Sequence, residues 1–597
     1  MKHSSHLTDS SRLTKGSLHC VLWHGRGSLA VLLSLALASF GLSPTSQAID
    51  PPPDGGYPGG NTAEGDSALF SLTTGLNNTA IGNSALFSNT TGGDNTACGS
   101  AALIRNTTGG ANTANGFSAL FSNTTGSRNT AVGIALVANT IGFDNTAIGN
   151  DALGLNTTGN LNTAIGAFAL SLNTTATGNT ATGYNALGLN TTGYENTASG
   201  YQALFNNTAG AYNAAFGDSA LYHNTIGNNN TACGSFALLN NTTGNDNTAT
   251  GYGALSSNTT GFNNTASGRD ALSSNTTGFN NTSNGWQALF SNTTGVNNTA
   301  CGVGALILNT IGNSNTATGL DALGSNTTGN GNTATGFAAL ISNTTGGQNS
   351  ASGFGALFDN TTGLSNSANG YNALSNNTTG SNNIAVGASA GINLTTGSNN
   401  IDIGNAGSAG ESSRIRIGTS GTQTATFVAG IAGATVPGGV GVIIGNNGKL
   451  GTVVSSKRFK DEIKPMDKAS EALHALKPVT FRYRKELDPD NIPQFGLLAE
   501  DVEKVNPALV ARDQQGKAYT VRYDAVNAML LNEFLKEHHK VEQQRKDFEA
   551  ALAQQQKQIE ALTAGFEKLS AQLAAASPSG GGLELSKPMQ QTVLNNQ

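Results

Sequence analysis

Cysteines are the first residues of this 597-residue sequence that could do chemistry, as disulfide partners or as metal ligands. Cys20 lies in an N-terminal leader. This leaves Cys98, Cys233 and Cys301, an odd number without a CxxC spacing or a nearby histidine. All three occupy the same slot of an internal repeat, where Ile, Val, Thr, Ser and Asn also occur. We therefore interpret them as small packing residues, and we predict neither a metal site nor an intrachain disulfide.

Carboxylates are the second candidates, because a pair of them about 5 to 9.5 Å apart can hydrolyse a glycosidic bond. Asp94, Asp144, Glu195 and Asp246 share one slot of the repeat and lie three repeats apart. If successive repeats stack as strands at ~4.8 Å, neighbouring acids are ~14 Å apart. We interpret them as solvated turn residues. A glycan depolymerase stays an alternative, because pairs between other slots or other chains remain open.

Charge and glycine patterning exclude other kinds of site. Residues 61–404 contain no lysine, three arginines and twelve acids, whereas nucleic-acid binding requires a basic surface. A glycine-rich run at residues 438–445 lacks the Lys-Ser/Thr pair that completes a phosphate-binding loop. With 78 glycines in the chain, such a run is expected by chance. We predict no nucleic-acid partner and no cofactor.

A 17-residue repeat dominates the sequence. Its anchor, with the consensus Asn-Thr-Ala-x-Gly, recurs in 21 copies from Asn61 to Asn400, with one unit a residue short before Asn145. The fullest unit reads NTAxGxxALxxNTTGxx. The fifth position is glycine in every copy, which indicates that every copy makes the same backbone turn, since glycine takes positive φ without steric cost.

This unit is too short for a helical hairpin, and Asn, Thr and Gly are poor helix formers. We predict a parallel β-solenoid over residues 61–410, with short strands at Asn-Thr-Ala-x and near Ala-Leu-x-x. Stacked coils would place Ala over Ala, Leu over Leu and Asn over Asn. The pattern resembles the head repeats of bacterial trimeric autotransporter adhesins, which form left-handed parallel β-rolls packed as trimers. The units of that family are usually shorter, and this sequence lacks its C-terminal β-barrel anchor.

The amino terminus has the pattern of an export signal. Basic residues precede an apolar run at residues 29–42, and Ser46 and Ala48 place small residues before a cleavage site at Ile49. We predict a signal peptide at residues 1–48 and a Pro/Gly linker at 49–60, and hence a secreted or cell-surface protein. An uncleaved signal anchor is the alternative. No later stretch is apolar enough to predict a membrane-spanning helix.

The composition changes after the repeats. Residues 411–454 read as a connector of short strands at 414–418, 424–430 and 441–445, with Asn447-Gly448 as a hairpin turn. From Ser455 the chain is charged and alternates helical and strand patterns, which predicts a small α+β domain at residues 455–545.

Four blocks of this domain, in order, carry a resemblance: SxxRxK at its start, then PVTFRYR, GLLAEDVEKVNPALV and TVRYDAVNAMLL. They resemble the intramolecular chaperone domain of phage endosialidases and tailspikes. The resemblance implies that the domain folds and trimerises a preceding β-rich fibre and then cleaves itself from it. Carried over by position, Ser455 is the nucleophile, Lys460 is the general base and Val454-Ser455 is the cleaved bond. This chain has Ser456 where family members often have aspartate.

A base next to a serine is chemically reasonable, because the hydroxyl is a weak nucleophile until its proton is removed. Lys457 and Arg458 add positive charge near Lys460, and cationic neighbours favour the neutral form of a lysine. Retention as an uncleaved chaperone-like cap is the alternative.

The last helical segment has a heptad pattern, which supports trimerisation independently of the resemblance. Its seam alternates spacings of three and four through Leu531, Phe534, His538, Val541, Arg545, Phe548, Leu552, Gln555, Ile559, Leu562, Phe566, Leu569 and Leu573. We interpret the polar members of the seam as residues that set register or oligomeric state. We predict a coiled coil at residues 546–576 and a disordered tail at 577–597.

Together these patterns predict a mainly β protein: a parallel β-solenoid of 17-residue coils, a small α+β chaperone domain and a coiled-coil helix. The function they favour is a secreted homotrimeric, adhesin-like fibre whose chaperone cleaves itself off, with a surface glycan or host receptor as partner. The main alternative is a solenoid whose threonine rows bind a regular lattice, such as ice or a crystalline polysaccharide.

Overall fold

The computed structural model describes residues 57–431, 434–445, 447–513 and 515–576. The predicted signal peptide at 1–48, most of the linker at 49–60 and the tail at 577–597 lie outside the described residues. The chain divides into two compact units, with the boundary between Thr426 and Phe427.

The first unit is a parallel β-solenoid. Each coil contributes one three-residue strand to a 22-stranded sheet, and each strand pairs with its sequence neighbours in a register that places Thr over Thr and Ala over Ala, as in Thr79 with Thr96 and Ala80 with Ala97. The strands span Thr62–Glu64, Thr79–Ile81, Thr96–Cys98, Thr113–Asn115, Thr130–Val132, Thr146–Ile148, Thr163–Ile165, Thr180–Thr182, Thr197–Ser199, Ala214–Phe216, Thr231–Cys233, Thr248–Thr250, Thr265–Ser267, Thr282–Asn284, Thr299–Cys301, Thr316–Thr318, Thr333–Thr335, Ser350–Ser352, Ser367–Asn369, Ile384–Val386, Ile401–Ile403 and Ile415–Ile417. The predicted solenoid of 17-residue coils is confirmed.

Small apolar side chains fill the solenoid interior. In a typical coil the strand alanine and the Ala-Leu pair that follows it are fully buried, as Ala97, Ala102 and Leu103 are. The same three positions recur in the next coil, so each coil covers the apolar surface of its neighbour. A single coil buries little, and stability therefore accumulates along the array.

Two internal asparagine ladders satisfy the polar groups of the turns. In the first, Asn95 donates from its backbone N–H (3.1 Å) and from Nδ2 (3.0 Å) to Oδ1 of Asn78, one coil earlier. In the second, Asn106 Nδ2 donates to Asn89 Oδ1 at 2.7 Å and to the carbonyl of Gly109 at 2.8 Å. Buried amides are stable only when they are hydrogen-bonded, so each asparagine requires its equivalents in adjacent coils.

Glycine is required at the fifth position for two reasons. Gly82 has φ of +126°, and a Cβ at that residue would lie 2.7 Å from the backbone carbon of Gly99 in the next coil. Neither the torsion nor the space suits another residue. The turn predicted from the invariant glycine is confirmed.

The strand expected near Ala-Leu-x-x does not form, and this expectation is wrong. Ala85 and Leu86 are adjacent in sequence and both fully buried, whereas successive residues of a strand point to opposite faces. The chain places both inside by turning, with φ of Leu86 at +50°. Its backbone N–H still donates to the carbonyl of Ala102 in the next coil, at 3.0 Å. Each coil therefore has one strand and a tight turn.

The cysteines also differ from expectation. They were interpreted as packing residues, but Cys98, Cys233 and Cys301 are all exposed. Each occupies the last position of its strand, next to an inward alanine, and strand alternation turns it outward.

The second unit contains short elements and one long helix. Its strands pair in antiparallel fashion as Val442–Ile444 with Leu450–Thr452, Val479–Phe481 with Gln494–Gly496, and Val510–Arg512 with Ala518–Val521. Its helices are the 3-10 segments Lys457–Phe459, Asp467–Ala475 and Pro507–Leu509, helix α1 (Ala499–Val505) and helix α2 (Tyr523–Ala575). The hairpin around Asn447-Gly448 is confirmed, while the strand expected at 424–430 is wrong, because that stretch has no strand pairing. The predicted domain bounds stay predictions.

Candidate functional site

A short 3-10 turn brings Ser455 and Lys460 together. Lys457–Phe459 forms this turn, in which the N–H of Phe459 donates to the carbonyl of Ser456 (3.0 Å) and the N–H of Lys460 donates to that of Lys457 (3.1 Å). The reversal returns the lysine side chain to the start of the turn. Its Nζ donates a hydrogen bond to Ser455 Oγ at 3.3 Å.

The surroundings of this pair are open and basic. Ser455 and Lys460 are both exposed in the single chain, as is the preceding Val454. The Arg458 guanidinium lies over the Phe459 ring, 4.7 Å from its centroid, and is thus held close to the turn. The geometry places a hydroxyl and an amine in contact at a backbone position that solvent reaches.

Three of the four carboxylates singled out in the repeat, those of Asp94, Asp144 and Asp246, make contacts between adjacent coils. Asp94 accepts from Asn77 (3.1 Å), and Asp246 accepts from Asn229 (3.0 Å). Arg128 lies 2.6 Å from Asp144, and its hydrogen bond holds the pKa of Asp144 below the usual range. These contacts are those of turn acids that bridge coils.

A polar cluster in the second unit was not predicted. Ser470 is fully buried. Its Oγ donates to Glu533 at 2.5 Å and accepts from Asn532 (2.6 Å) and Lys536 (3.2 Å). His474 Nε2 lies 3.1 Å from the second oxygen of Glu533. Hydrogen bonds from Lys536 and Ser470 lower the pKa of Glu533 to about 2.

This cluster joins the 3-10 segment Asp467–Ala475 to helix α2. Residues 59 to 66 positions apart meet in it, and such long-range pairing leaves no local signature. The only sequence signal is that one small polar residue, Ser470, interrupts an otherwise apolar helix face. The cluster therefore has a structural role in docking the two helices.

A second unpredicted group lies at the C-terminal end of the solenoid. Asp402 occupies the inward strand position that holds alanine in nearly every other coil, and it pairs in register with Ala385 and Arg416. It is fully buried, and neither carboxylate oxygen has a hydrogen-bond partner among the described residues. Arg416 instead pairs with Glu411 at 2.6 Å. Burial, and secondarily the charge of Glu411, raise the pKa of Asp402 to about 6.

The described part of the chain was also searched for metal-binding clusters and for membrane-spanning helices. No cluster of three or more His, Cys, Asp or Glu side chains there has the geometry to hold a metal ion. Among the helices of the described residues, none combines the length and apolarity needed to span a bilayer.

Comparison with known families identifies the C-terminal domain. Residues 455–511 match the family model described as the chaperone of endosialidase, and the match begins at Ser455. A comparison with curated proteins finds no match. The chain thus carries an endosialidase-type chaperone domain behind a long β-solenoid, an arrangement that fits a tail-fibre-like protein.

Proposed function

We propose that this chain, which joins a chaperone-of-endosialidase domain to a β-solenoid, is a secreted homotrimeric, adhesin-like fibre that cleaves itself at Val454-Ser455. The contact between Lys460 Nζ and Ser455 Oγ at 3.3 Å carries the cleavage proposal. Its place at the first residue of the matched domain supports it further. The chaperone would assist folding and assembly, and cleavage would then release the fibre.

Helix α2 supports assembly as a trimer. Its apolar seam residues are exposed in the single chain, with Phe548 at 67% and Phe566 at 75%. A seam of this length stays soluble only when other helices cover it, and heptad spacing suits a coiled coil. The chaperone family also favours a homotrimer.

The proposed cleavage is an acyl transfer followed by hydrolysis. The Lys460 amine would act as general base for the proton of Ser455 Oγ while Oγ attacks the carbonyl carbon of Val454. The C–N bond breaks as the amine of Ser455 takes up a proton, which leaves an ester between Val454 and Ser455 Oγ. Water then hydrolyses the ester, so that the two fragments end at Val454 and begin at Ser455.

Cleavage at this position would separate the folding aid from the product. A trimer that loses the element that assembled it cannot return by the same route, and its persistence becomes a matter of unfolding rate. The benefit is a fibre that is kinetically trapped.

The test is expression of the full chain and analysis of its products. The wild type should yield two fragments, the second beginning at Ser455 by N-terminal sequencing. Ser455→Ala and Lys460→Ala should each leave one uncleaved chain that still trimerises, because the solenoid and the helix seam are unchanged.

Ser456→Ala is the matched control, since it changes the adjacent hydroxyl and should leave cleavage intact. An uncleaved wild type under native conditions, or continued cleavage of Ser455→Ala at this bond, would refute the proteolytic assignment. Size measurement by light scattering tests the trimer separately from cleavage.

Lattice binding is a second candidate, favoured by the threonine rows. Thr248, Thr250, Thr316 and Thr318 face outward from strands whose middle residue is buried, and the first strand position is threonine in most coils. Ice-recrystallisation and crystalline-cellulose binding assays test this function. Activity that persists in the trimer would support it, whereas burial of these threonines between copies would exclude it.

A further inference from the structure

The sixth position of the coil, directly after the invariant glycine, forms an outward column. Over eight consecutive coils this column contains five aromatic residues: Tyr252, Trp286, Phe337, Phe354 and Tyr371. Arg269, Val303 and Leu320 occupy the remaining coils. We call these eight residues the aromatic column. At ~4.8 Å per coil it extends ~34 Å along the solenoid.

The aromatic rings of the column form an ordered surface. Phe337 and Phe354 stack with centroids 4.9 Å apart and planes 12° apart, and Phe354 and Tyr371 stack at 5.4 Å and 16°. The Arg269 guanidinium lies over the Tyr252 ring, 5.6 Å from its centroid. Stacking thus gives the rings of these three coils, Phe337, Phe354 and Tyr371, similar orientations.

The fold does not require aromatic residues at this position. Trp286 is 51% exposed and Tyr371 is 56% exposed, while other coils hold Ser100, Asn150 or Ser235 at the sixth position and have the same coil geometry. A contiguous exposed apolar strip on a soluble protein is a sign of a binding surface.

Small polar side chains flank the aromatic column. The fourth position of the same coils carries hydroxyl and amide groups such as Thr250, Asn284 and Thr318, and the seventh carries Asp270 and Gln287, among others. Residues 252–371 contain one arginine, three aspartates and no lysine or glutamate. The surface is therefore apolar along its centre, rich in hydrogen-bonding groups at its edges, and weakly acidic.

A second copy of this chain fits the aromatic column poorly. Solenoids that pack along their whole length need an interface that recurs in all 21 coils, whereas the sixth position is Asp66, Asn83 and Ser100 in the first coils and Asp218 in the middle. Tyr184 and Tyr201 also stack at the sixth position of two earlier coils, 5.6 Å apart, but Asp218 and Ser235 separate them from the aromatic column. An aromatic segment that is interrupted in this way is expected of a ligand site rather than of an interface that recurs in every coil. The acidic charge also disfavours an anionic polymer.

We propose that the aromatic column binds a neutral polysaccharide laid along the solenoid axis. The C–H faces of successive sugar rings would pack on the aromatic rings, and their hydroxyls would hydrogen-bond to the flanking amide, hydroxyl and carboxylate groups. This inference rests on the proposed adhesin-like function and names the class of surface molecule that the fibre binds.

The test uses full-length protein on a glycan array that carries neutral hexose, N-acetylhexosamine and pentose polymers beside anionic ones. The wild type should bind one or more neutral polymers. Trp286→Ser and Phe354→Ser should each weaken binding by about tenfold, the effect of losing one well-packed ring. Serine is the residue that other coils use at this position, so both variants should fold.

Phe117→Ser is the matched control, because Phe117 is exposed at the sixth position but lies outside the column. It should bind as the wild type does. Binding to no polymer, binding to anionic polymers only, or unchanged binding by the column variants would overturn the proposal. Loss of the trimer in the column variants would instead identify a second copy as the occupant.

Cleavage and oligomeric state are measured on the same preparations. Intact assembly and cleavage without glycan binding would reject this inference and leave the fibre assignment in place. Glycan binding by a chain that neither trimerises nor cleaves would support the glycan site and reject the fibre assignment.

Discussion

The two units of this protein differ in how much of their apolar surface they bury alone. Nearly every interior coil of the solenoid fully buries its strand alanine, its Ala-Leu pair and its two ladder asparagines. Within the described part of the second unit, the buried apolar core consists of Val502, Leu509, Val510, Val521 and Met529, while helix α2 exposes its large side chains along the seam. The solenoid buries its apolar interior within one chain, whereas the second unit leaves the apolar seam of helix α2 exposed in the single chain.

This difference suggests that the two units have different roles in folding. A parallel coil gains its hydrogen bonds and buried area only from the coil next to it, so the first coils form at a net cost and an array benefits from a template. Long helices with exposed seams associate through local structure and can form early. In the proposed trimer, the exposed seam of helix α2 is therefore suited to hold the chains together while the solenoid grows.

The strongest test of solenoid self-sufficiency is substitution of a fifth-position glycine. Gly234 has φ of +142°, and an added Cβ would lie 2.5 Å from the carbonyl oxygen of Gly251. We expect Gly234→Ala to destabilise the array by more than about 3 kcal/mol, because the torsion and the contact are both unfavourable. Thermal unfolding followed by circular dichroism measures the effect.

Gly253→Ala provides the control for this substitution. Gly253 has φ of +65°, and Ala338 holds the equivalent position of another coil at +54°. An alanine therefore fits this backbone. Its Cβ would lie 2.7 Å from Oδ1 of Asp270, the end of a flexible side chain that can move aside, so the stability should change little. Equal destabilisation by both substitutions would show that the fifth position is not special.

The second prediction concerns the exposed seam of helix α2. Phe548→Ser combined with Leu552→Ser should convert the trimer to monomer, because two adjacent layers of the coiled coil lose their apolar contacts. Gln556→Ser, next to the seam residue Gln555, is the control and should stay trimeric. Light scattering on the isolated oligomer gives the result, and a trimer that survives the double substitution would contradict a seam-driven assembly.

The third prediction concerns Asp402, a buried charge at the end of an otherwise uncharged interior. Since burial raises the pKa of Asp402 in the folded state to about 6, above its ordinary value of 3.8, the folded state binds the proton more tightly than the unfolded state does. The stability of the last coil should therefore be greatest below about pH 4 and fall as pH rises through about 6.

Asp402→Ala restores the residue found in other coils and should remove this pH dependence. It should stabilise the last coil at pH 8 by roughly 1–3 kcal/mol, the range for relieving an unsatisfied buried polar group. Hydrogen exchange of Ile401–Ile403 at pH 5 and pH 8 measures the effect, and the exposed Asp246→Ala should show none. A last coil that is more stable at pH 8 than at pH 5 would reverse the sign and refute the argument.

Periodicity explains how much could be predicted from the sequence. Twenty-one copies of one pattern report the same backbone turn and the same inward alanine, so the coil, its stacking and the asparagine ladders follow from the repeat. The conformation of Leu86 was missed because a left-handed leucine is unusual and the Ala-Leu pair reads as part of a strand. The cluster at Ser470 was missed because its partners meet only after the long helix docks.

Some features of the candidate site could be predicted from the sequence and others could not. Ser455 and Lys460 were named from a resemblance, and their contact depends on a 3-10 turn of three residues that has no distinctive sequence pattern. Asp402 could have been found by asking which copy departs from the repeat, because a carboxylate at an alanine position is conspicuous. Departures from a periodic pattern are thus more informative about individual residues than the pattern itself.

The smallest expected effect comes from the cysteines, and it tests whether the outer face of the strands contributes to stability. Cys98, Cys233 and Cys301 are exposed and lie eight and four coils apart, or ~38 and ~19 Å at ~4.8 Å per coil. A disulfide needs Cα atoms within about 7 Å, so a non-reducing peptide map should contain no intrachain bridge among them.

Replacing all three cysteines by serine should change the unfolding free energy by about 0.5 kcal/mol or less, as for other surface positions. The matched comparison is Ala232→Val, one residue before Cys233 and fully buried, which should cost more because it forces two extra methyl groups into a filled interior. An equal loss in both variants would mean that the outer strand face is covered in the assembled protein, most simply by another copy of the chain.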